Sequence, residues 1–405
     1  MKIAAIIAEY NPFHNGHKYQ IDKLREILGE DTAVIAIMSG NYTQRGEIAI
    51  ADKSVRSRAA VDCGVDLVLE LPFPFSMASA EFFSAAGVHI ANSLGVVDYL
   101  VFGCECSTPE LLEKTAEFIS TDAFADEIAR LESLPEYRGM GYPALVEAAY
   151  TSLSDTPLPE GFFSQNNILA LEYLKALYRL GSCVKPLPIT RVGAAYSSEE
   201  IVKGERQSAT AIRHLIAAND KTAYDYMPIC AKNVFVEARE KSEMPTSISA
   251  LDVAVISHFR LNPTPTESEP HDAKGGLYNR LYDKSLEAVS ISSLTKSAET
   301  KKFTKARIRR AVLYSYLGVT SSELETMPLY TQVLAMNSTG RALLRQIKRA
   351  GKITVLTKPA AYKECSALTV RQKELSDRAD SVFALTHGGD RSGTLSLTFT
   401  PYVKK

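Results

Sequence analysis

Apolar segments of strand length alternate with segments of helical periodicity through the first half of the chain, and this alternation constrains the fold more than any other feature. The predicted strands are continuous rather than alternating apolar runs, and they cover residues 2–8, 33–38, 66–71, 97–102 and 185–192. Such strands are typical of a parallel sheet that helices cover on both faces. Right-handed crossovers between them predict an α/β fold with a doubly wound, five-stranded parallel sheet, whose ligands bind at the carboxyl ends of the strands.

Helical periodicity fills the spaces between the strands, at residues 17–28, 52–63, 79–94, 109–131 and 167–180. Residues 134–163 are rich in Pro, Gly and Tyr and predict a long loop with one helix inside it. Near residue 219 the pattern changes to helical segments with one short strand-like run at 353–356. Because single cores stop growing near roughly 250–300 residues, we predict an α/β domain over 1–218 and a mainly helical domain over 219–405.

Composition excludes several classes of protein. No apolar run reaches the roughly 18–20 residues that span a bilayer, and the apolar start of the chain is too short for a secretory signal. The six cysteines form no CxxC pair, which argues against a zinc site and favours reduced thiols in a cytoplasmic protein. A net charge of −1 neither supports nor excludes a nucleic-acid partner, so only local clusters of charge can decide that question.

The sequence His14-Asn15-Gly16-His17 follows the first predicted strand and opens the first predicted helix. The first amides of a helix and its dipole favour an anion at this position, and Gly16 lets a phosphate approach the backbone. Imidazole donors from His14 and His17 would stabilise charge that develops on the oxygens of a triphosphate. The alternatives are two capping or surface histidines, or a His–His metal site, which no neighbouring carboxylate cluster supports.

A second motif, QSATAIRHL at residues 207–215, has the character of a phosphate clamp. Ser208 and Thr210 are candidate helix caps, and Arg213 lies one turn into the helix. Taken alone the motif is an ordinary helix start, but beside the histidine turn it suggests a second contact to a triphosphate. We therefore predict His14, His17, Ser208 and Arg213 as catalytic residues.

The HxGH turn after strand one and the Ser/Thr-rich basic motif after strand five resemble the HIGH-type nucleotidyltransferase superfamily, which has a Rossmann-like fold. Longer strings resemble the bacterial tRNA(Met) cytidine acetate ligase family over nearly the whole chain, more loosely after residue 320. They are AEYNPFHNGH, SGNYTQRGEIAIADK, DLVLELPFPFSMASAEFF, FGCE, QNNILALEYLKAL, SATAIR, GLYNRL, TKKFTKARIRR and VLAMNSTGRALL.

This resemblance implies a reaction and a set of ATP-binding positions. Enzymes of that family activate acetate with ATP as acetyl-adenylate and transfer the acetyl group to N4 of the wobble cytidine of elongator tRNA(Met). By matching positions, the expected ATP-binding residues are Ile7, Ala8, Glu9, Tyr10, Asn11, Pro12, Phe13, His14, Asn15, Gly16, His17, Lys18, Tyr19, Gln20, Gly103, Asn166 and Arg191. The choice between Asn166 and Asn167 stays open, and so does Mg²⁺, for which the sequence shows no obvious carboxylate ligands.

Two further polar segments are candidates for substrate contacts. Gln44, Arg45, Glu47 and Lys53 follow the second strand, where they would contact acetate or tRNA or simply form a solvated loop. Residues 296–310 carry seven basic side chains against one acid, and a helix beginning near Thr304 would display several of them. Such a face attracts a phosphate backbone. The predicted tRNA-binding residues are Lys301, Lys302, Lys305, Arg307, Arg309 and Arg310.

Two other functions remain as alternatives at this point. A small-molecule adenylyltransferase of cofactor biosynthesis would use the same histidine turn, but roughly 180 residues after residue 219 would then be surplus to a short catalytic chain. A non-catalytic RNA-binding protein would retain the nucleotide fold only as a platform. No membrane partner and no obligate protein partner is indicated, and ATP, acetate and elongator tRNA(Met) are the expected partners.

Overall fold

The structure, a computed structural model, describes residues 1–105, 109–137, 140–191, 207–265 and 269–405. Its strands are β1 (Ile3–Ala8), β2 (Ala33–Ser39), β3 (Tyr42–Thr43), β4 (Glu47–Ile48), β5 (Leu67–Leu71), β6 (Tyr99–Cys104), β7 (Lys185–Thr190), β8 (Tyr330–Met336), β9 (Thr354–Leu356) and β10 (Tyr402–Val403). Its helices are α1 (Asn15–Leu28), α2 (Lys53–Asp62), α3 (Ala80–Ser93), α4 (Pro109–Ile119), α5 (Asp122–Ser133), α6 (Tyr142–Leu153), α7 (Gln165–Arg179), α8 (Ala209–Ala217), α9 (Ile229–Glu240), α10 (Asp252–Leu261), α11 (Leu277–Ser285), α12 (Ile291–Ala298), α13 (Lys305–Leu317), α14 (Ser322–Glu325), α15 (Ser338–Ala350), α16 (Ala367–Phe383) and α17 (Leu395–Thr398).

The five predicted strands form the parallel part of one sheet, in the order β5-β2-β1-β6-β7. The parallel α/β class is therefore confirmed, and the helices between the strands lie close to their predicted positions. The predicted segment 109–131 is divided into α4 and α5, with Thr121 capping the second helix. Inside the long predicted loop, α6 is the expected helix.

The sheet is larger than the sequence predicted, because the C-terminal half contributes strands to it. Strand β8 pairs antiparallel with β5, and β9 and β10 both pair with β8 in parallel. The short strand-like run at 353–356 is confirmed as β9, whereas β8 was not predicted. The mainly helical C-terminal part thus returns to the sheet, while the domain boundary between 218 and 219 stays a prediction.

Helices bury both faces of the sheet, which explains the continuous apolar strands. In β2, Ala33, Ile35 and Ile37 belong to the core under α3 and α7, while Val34, Ala36 and Met38 belong to the core under α1 and α2. Successive side chains of a strand point to opposite faces, so a strand buried on both faces must be apolar throughout.

Helices α10 to α13 form a separate apolar cluster that includes Phe259, Leu281, Ile308 and Val312. Within the described residues, no helix is both long enough and apolar enough to cross a bilayer.

The expectation that all cysteines are reduced is wrong for one pair. Cys63, which follows α2, and Cys230 in α9 form a disulfide, with their Cα atoms 5.5 Å apart. The two cysteines are separated by 167 residues, so only the packing of α9 against α2 brings them together.

Candidate active site

A cavity of about 130 Å³ opens where β1, β6 and β7 end, and a second cavity of about 70 Å³ adjoins it. Both are lined by His14, His17, Gln20, Gly103 and Arg191. The carboxyl ends of parallel strands are where ligands bind in a doubly wound sheet. The position of the cavity therefore agrees with the fold-based expectation.

Most of the predicted ATP-binding residues lie around these two cavities. The larger cavity is lined by Ile7, Ala8, Glu9, Tyr10, Asn11, His14, His17, Gln20, Gly103, Asn166 and Arg191, and the smaller one adds Gly16 and Tyr19. Four predicted residues line neither cavity. Pro12 lies in the turn before α1, and Asn15 is the first residue of that helix. Phe13 is fully buried in the core, and Lys18 forms an ion pair with Asp22 on the surface of α1.

His14 and His17 form a reciprocal cap at the start of α1. The Nδ1 atom of His14 accepts a hydrogen bond from the Gly16 amide at 3.0 Å, and Nδ1 of His17 accepts one from the His14 amide at 3.2 Å. The two rings stack with centroids 3.8 Å apart. Because both Nδ1 atoms are acceptors, each neutral ring carries its proton on Nε2. The capping interpretation and the functional one are therefore compatible, since each ring keeps one N–H donor.

The surroundings keep both imidazoles neutral. Burial, together with the positive charges of Arg191 and Arg213, lowers the pKa of His14 to about 3. Burial, followed by the neighbouring His14 and Arg191, lowers the pKa of His17 well below its usual value. At neutral pH both side chains are thus uncharged hydrogen-bond donors in a positively charged pocket, which is an arrangement suited to a polyanion.

The SATAIR segment, residues 208–213, closes the other side of the pocket. Ser208 caps α8 by accepting a hydrogen bond from the Ala211 amide at 3.1 Å, and Ala209 lines the cavity. Nη1 of Arg213 donates to the Asn11 carbonyl oxygen at 2.9 Å. Arg213 therefore fastens the second motif to the histidine turn, and its charge acts on the pocket from that position.

Glu47 connects this pocket to the basic helix α13. Its carboxylate accepts from Nη2 of Arg213 at 3.3 Å and forms an ion pair with Arg309. Gly46 has a φ of +70°, and a Cβ there would lie 2.5 Å from the Arg310 amide nitrogen. A residue without a side chain is thus required where the hairpin of β3 and β4 meets α13.

Arg56 is a charged residue of this region that the sequence did not single out. It is fully buried and donates to the carbonyl oxygens of Glu9, Ser39 and Gly40 at the ends of β1 and β2, and to that of Ala51 just before α2. Burial lowers its pKa to about 10, so it remains charged at neutral pH. In the sequence Arg56 looks like any cation of a surface helix, and nothing local in the sequence marks its long-range contacts.

The positions of Asn166 and Asn167 distinguish the two candidates for contact with ATP. Asn166 lines the cavity and donates to Glu105, whereas Asn167 is engaged by the Glu105 amide and the Phe162 carbonyl oxygen, at 2.8 and 2.9 Å. The geometry therefore favours Asn166 as the pocket residue.

Residues 44–53 divide between the cavity and the interior. Gln44 lines the cavity, and its backbone amide donates a hydrogen bond to the Glu9 carboxylate at 3.0 Å. Burial raises the pKa of Glu9. Lys53 is buried between Glu70 and Asp380, at 2.6 Å from each. Lys53 is thus an interior ion-pair residue and takes no part in lining the pocket.

Apolar residues that the sequence did not single out as site residues complete the cavity: Phe83, Phe102, Leu169 and Tyr173. They lie on α3, β6 and α7, which meet only in the folded chain. Within the described ranges, no three His, Cys, Asp or Glu side chains cluster in a way that could hold a metal ion.

The predicted basic helix is confirmed as α13, with Thr304 at its N-cap and Ile308, Val312 and Leu313 buried. Its cations, however, are largely engaged within the chain. Arg310 is buried and pairs with Asp272 at 2.6 Å, and Arg309 pairs with Glu47.

Two more of the predicted tRNA-binding residues donate to backbone carbonyl groups. Arg307 donates to Asp272 and Lys274, and Lys302 donates to Gly275. Lys301 and Lys305 are exposed. The assignment of these six residues to tRNA binding stays a prediction.

Comparison with known proteins gives consistent results over the whole chain. A family model described as HIGH Nucleotidyl Transferase matches residues 1–392. The tRNA(Met) cytidine acetate ligase of Acetivibrio thermocellus is 35% identical over 402 residues, which cover 96% of this chain and 95% of the relative. That of Clostridium perfringens is 34% identical over 378 residues, covering 91% and 92%.

Solved structures give the same result. The crystal structure of apo Thermotoga maritima TmcAL superimposes with a TM-score of 0.92 at 27% identity, covering 100% of this chain and 99% of that one. The structure of the same protein bound with alpha-thio ATP superimposes with a TM-score of 0.89 over the same shares.

Proposed function

The chain belongs to the HIGH nucleotidyltransferase family, and we propose that it is an ATP-dependent tRNA(Met) cytidine acetate ligase. It activates acetate as acetyl-adenylate and transfers the acetyl group to N4 of the wobble cytidine of elongator tRNA(Met). The products are N4-acetylcytidine, AMP and diphosphate. The observation that carries this proposal is the joint presence of a neutral His14–His17 pair and the SATAIR helix start around one cavity, in a chain whose relatives match along almost its entire length.

ATP lies across the carboxyl ends of β1 and β6, with its triphosphate between the starts of α1 and α8. The Nε2–H donors of His14 and His17 stabilise the charge that develops on the α-phosphoryl and diphosphate oxygens. Helix-start amides and the charges of Arg191 and Arg213 favour the same anion. Any Mg²⁺ would arrive with the nucleotide, since the described acidic side chains form no dedicated cluster.

Acetate attacks the α-phosphorus through a carboxylate oxygen, and the bond to diphosphate breaks in line with the attack. No covalent enzyme intermediate is needed, because positioning and electrostatic stabilisation suffice. The apolar part of the cavity lining, which consists of Phe83, Phe102, Leu169 and Tyr173, suits the methyl group of acetate. A methyl group there gains burial without any unpaired polar atom.

The cytidine amine then attacks the acetyl carbonyl group, the mixed anhydride breaks, AMP leaves and the amine loses a proton. The cytidine must leave its stack to reach the cavity, as bases of single-stranded loops do for most RNA-binding proteins. Because its substrate is a tRNA, the enzyme acts in the cytoplasm. A small-molecule adenylyltransferase is the weaker alternative, because the ligases match this chain well beyond the first domain.

The direct test supplies purified protein with labelled acetate, ATP and a tRNA(Met) transcript. Label should appear in cytidine as N4-acetylcytidine, with one AMP released per acetyl group. A transcript with uridine in place of the wobble cytidine is the matched control and should stay unlabelled. Adenylylation of a small molecule without any label in tRNA would overturn the proposal.

A further inference from the structure

The segment between Glu325 and Glu364 contains no acidic residue, although acids and bases are almost equal in number over the whole chain. It carries seven cations: Arg341, Arg345, Lys348, Arg349, Lys352, Lys358 and Lys363. All seven side chains are exposed. This is a concentration of positive charge that the ATP cavity does not use.

Helix α15 organises these cations on one face. Its opposite face packs on the sheet through Gly340, Leu343 and Ile347, which are buried. Gly340 is needed there, since a Cβ would lie 2.0 Å from the Asp66 carbonyl oxygen. Arg341, Arg345 and Lys348 recur at intervals of four and three residues, so they form a row along the exposed side of the helix.

A groove of about 510 Å³ runs beside this row. It is lined by the same three cations and by Leu344, Ile353 and Val355, where α15 meets β9. The groove therefore offers a positively charged wall with an apolar floor, which suits the phosphates and sugars of a nucleic-acid strand.

The charges of α15 are not neutralised by the protein itself. None of the seven cations forms an ion pair with any residue in the described part of the chain. On α13, by contrast, Arg309 and Arg310 are held by Glu47 and Asp272. Lys301 and Lys305 near α13 are also exposed, but the larger group of exposed cations in this half of the protein lies on and beside α15.

Helix α15 lies at the amino ends of the parallel strands. Its first turn contacts Asp66, just before β5, and its last residues contact Leu94 and Gly95, just before β6. The ATP cavity is at the carboxyl ends. Because β1 has six residues, the two ends of the parallel strands, and with them α15 and the cavity, are about 20 Å apart.

We infer that the face of α15 bearing Arg341, Arg345 and Lys348 is a second RNA-contact surface, which binds the sugar-phosphate backbone of the tRNA body outside the anticodon arm while the wobble cytidine reaches the ATP cavity. This inference rests on the proposed function. A surface some 20 Å from the cavity is beyond the reach of a single flipped nucleotide, so it contacts phosphates that are distant from the wobble base. Phosphate contacts position the RNA, and the cavity reads the base.

The test compares two RNAs on the triple variant R341E/R345E/K348E. Its affinity for full-length tRNA(Met) should fall by at least about tenfold, and the slope of log affinity against log salt should fall by about two to three. Affinity for the isolated anticodon stem-loop should stay within twofold of wild type. The variant R341K/R345K keeps the charge and should bind full-length tRNA nearly as wild type does.

The triple reversal K114E/R130E/K221E at other exposed positions is the control for net charge. Unchanged affinity of the α15 variant for full-length tRNA would overturn the inference, and so would an equal loss for both RNAs. Loss of binding to anionic vesicles with unchanged tRNA affinity would assign the surface to a membrane instead. Acetate-dependent ATP–pyrophosphate exchange without RNA separates these outcomes from failure of the proposed function, since exchange does not involve α15.

Discussion

The imidazole rings of His14 and His17 stack 3.8 Å apart, and each uses Nδ1 to accept a backbone hydrogen bond at the start of α1. The helix start therefore fixes the tautomer of both rings and leaves Nε2–H on each as a donor. Tyr10 and Phe13 pack against the His17 ring, with centroids 4.9 and 5.5 Å away. Such preorganised donors need no rearrangement when charge develops on a phosphate.

The neutral histidines make stability depend on pH. The folded protein holds the pKa of His14 near 3, whereas an unfolded histidine titrates near roughly 6.5. Below about pH 6.5 His14 binds a proton in the unfolded chain but stays neutral in the folded chain. The free energy of unfolding therefore falls as the pH drops from about 6.5 towards 3.

His14→Asn keeps a capping acceptor without this titration. Denaturant unfolding of the ATP-free protein at pH 7 and pH 5 measures the effect. The decrease between these pH values should be smaller in the variant by about 2 kcal/mol. Equal decreases in the two proteins would mean that His14 is not held neutral by the fold.

Arg56 holds the ends of β1 and β2 together through the carbonyl groups of Glu9, Ser39 and Gly40, and it also donates to Ala51, just before α2. Arg56→Met keeps the apolar stem but leaves those buried acceptors without a donor, and it should lower the free energy of unfolding by at least about 3 kcal/mol. Arg58→Met is the matched control, because Arg58 is partly exposed and pairs with Glu237 at the surface. It should cost less than about 1 kcal/mol, and similar losses for the two variants would refute the role given to Arg56.

Glu47 should influence ATP binding through Arg213. Glu47→Gln weakens its hold on Arg213 and should raise the KM for ATP in acetate-dependent pyrophosphate exchange by about three- to tenfold, up to about 1.4 kcal/mol. Arg213→Gln should raise it further. Since the two side chains share one contact, the double variant should resemble Arg213→Gln alone rather than show the product of both effects. Strictly multiplicative effects would show that Glu47 does not act through Arg213.

Leu169 should help to select acetate over longer acids. It belongs to the apolar lining of the cavity, so Leu169→Ala makes room for one more methylene group. The preference for acetate over propionate in the exchange reaction should fall by about tenfold. Leu171→Ala removes a leucine of the same helix that is fully buried and does not line the cavity, and it should keep the wild-type preference. Unchanged preference in Leu169→Ala would place the acetate methyl group elsewhere.

The sequence predicts well those parts of the fold that depend on local pattern. The five parallel strands follow from their apolar runs, and the histidine turn is found because its residues are adjacent in the chain. Strand β8 is missed because Thr331 and Gln332 interrupt its apolar pattern and because its partner β5 is more than 260 residues away.

The rest of the site depends on contacts between distant segments. Phe83, Phe102 and Leu169 reach the cavity from α3, β6 and α7. Arg309 and Arg310 look available for RNA in the sequence, but their acidic partners come from β4 and from a loop before α11. Sequence periodicity does not predict such pairings, so the intramolecular partners of these arginines become visible only in the structure.

The central claim is that the His14–His17 pair assists the formation of acetyl-adenylate. Acetate-dependent ATP–pyrophosphate exchange in the absence of tRNA measures this step directly. His17→Ala should lower the exchange rate at saturating ATP by about 100- to 1,000-fold, while its affinity for tRNA(Met) stays at the wild-type level. Exchange by His17→Ala at the wild-type rate would contradict the account.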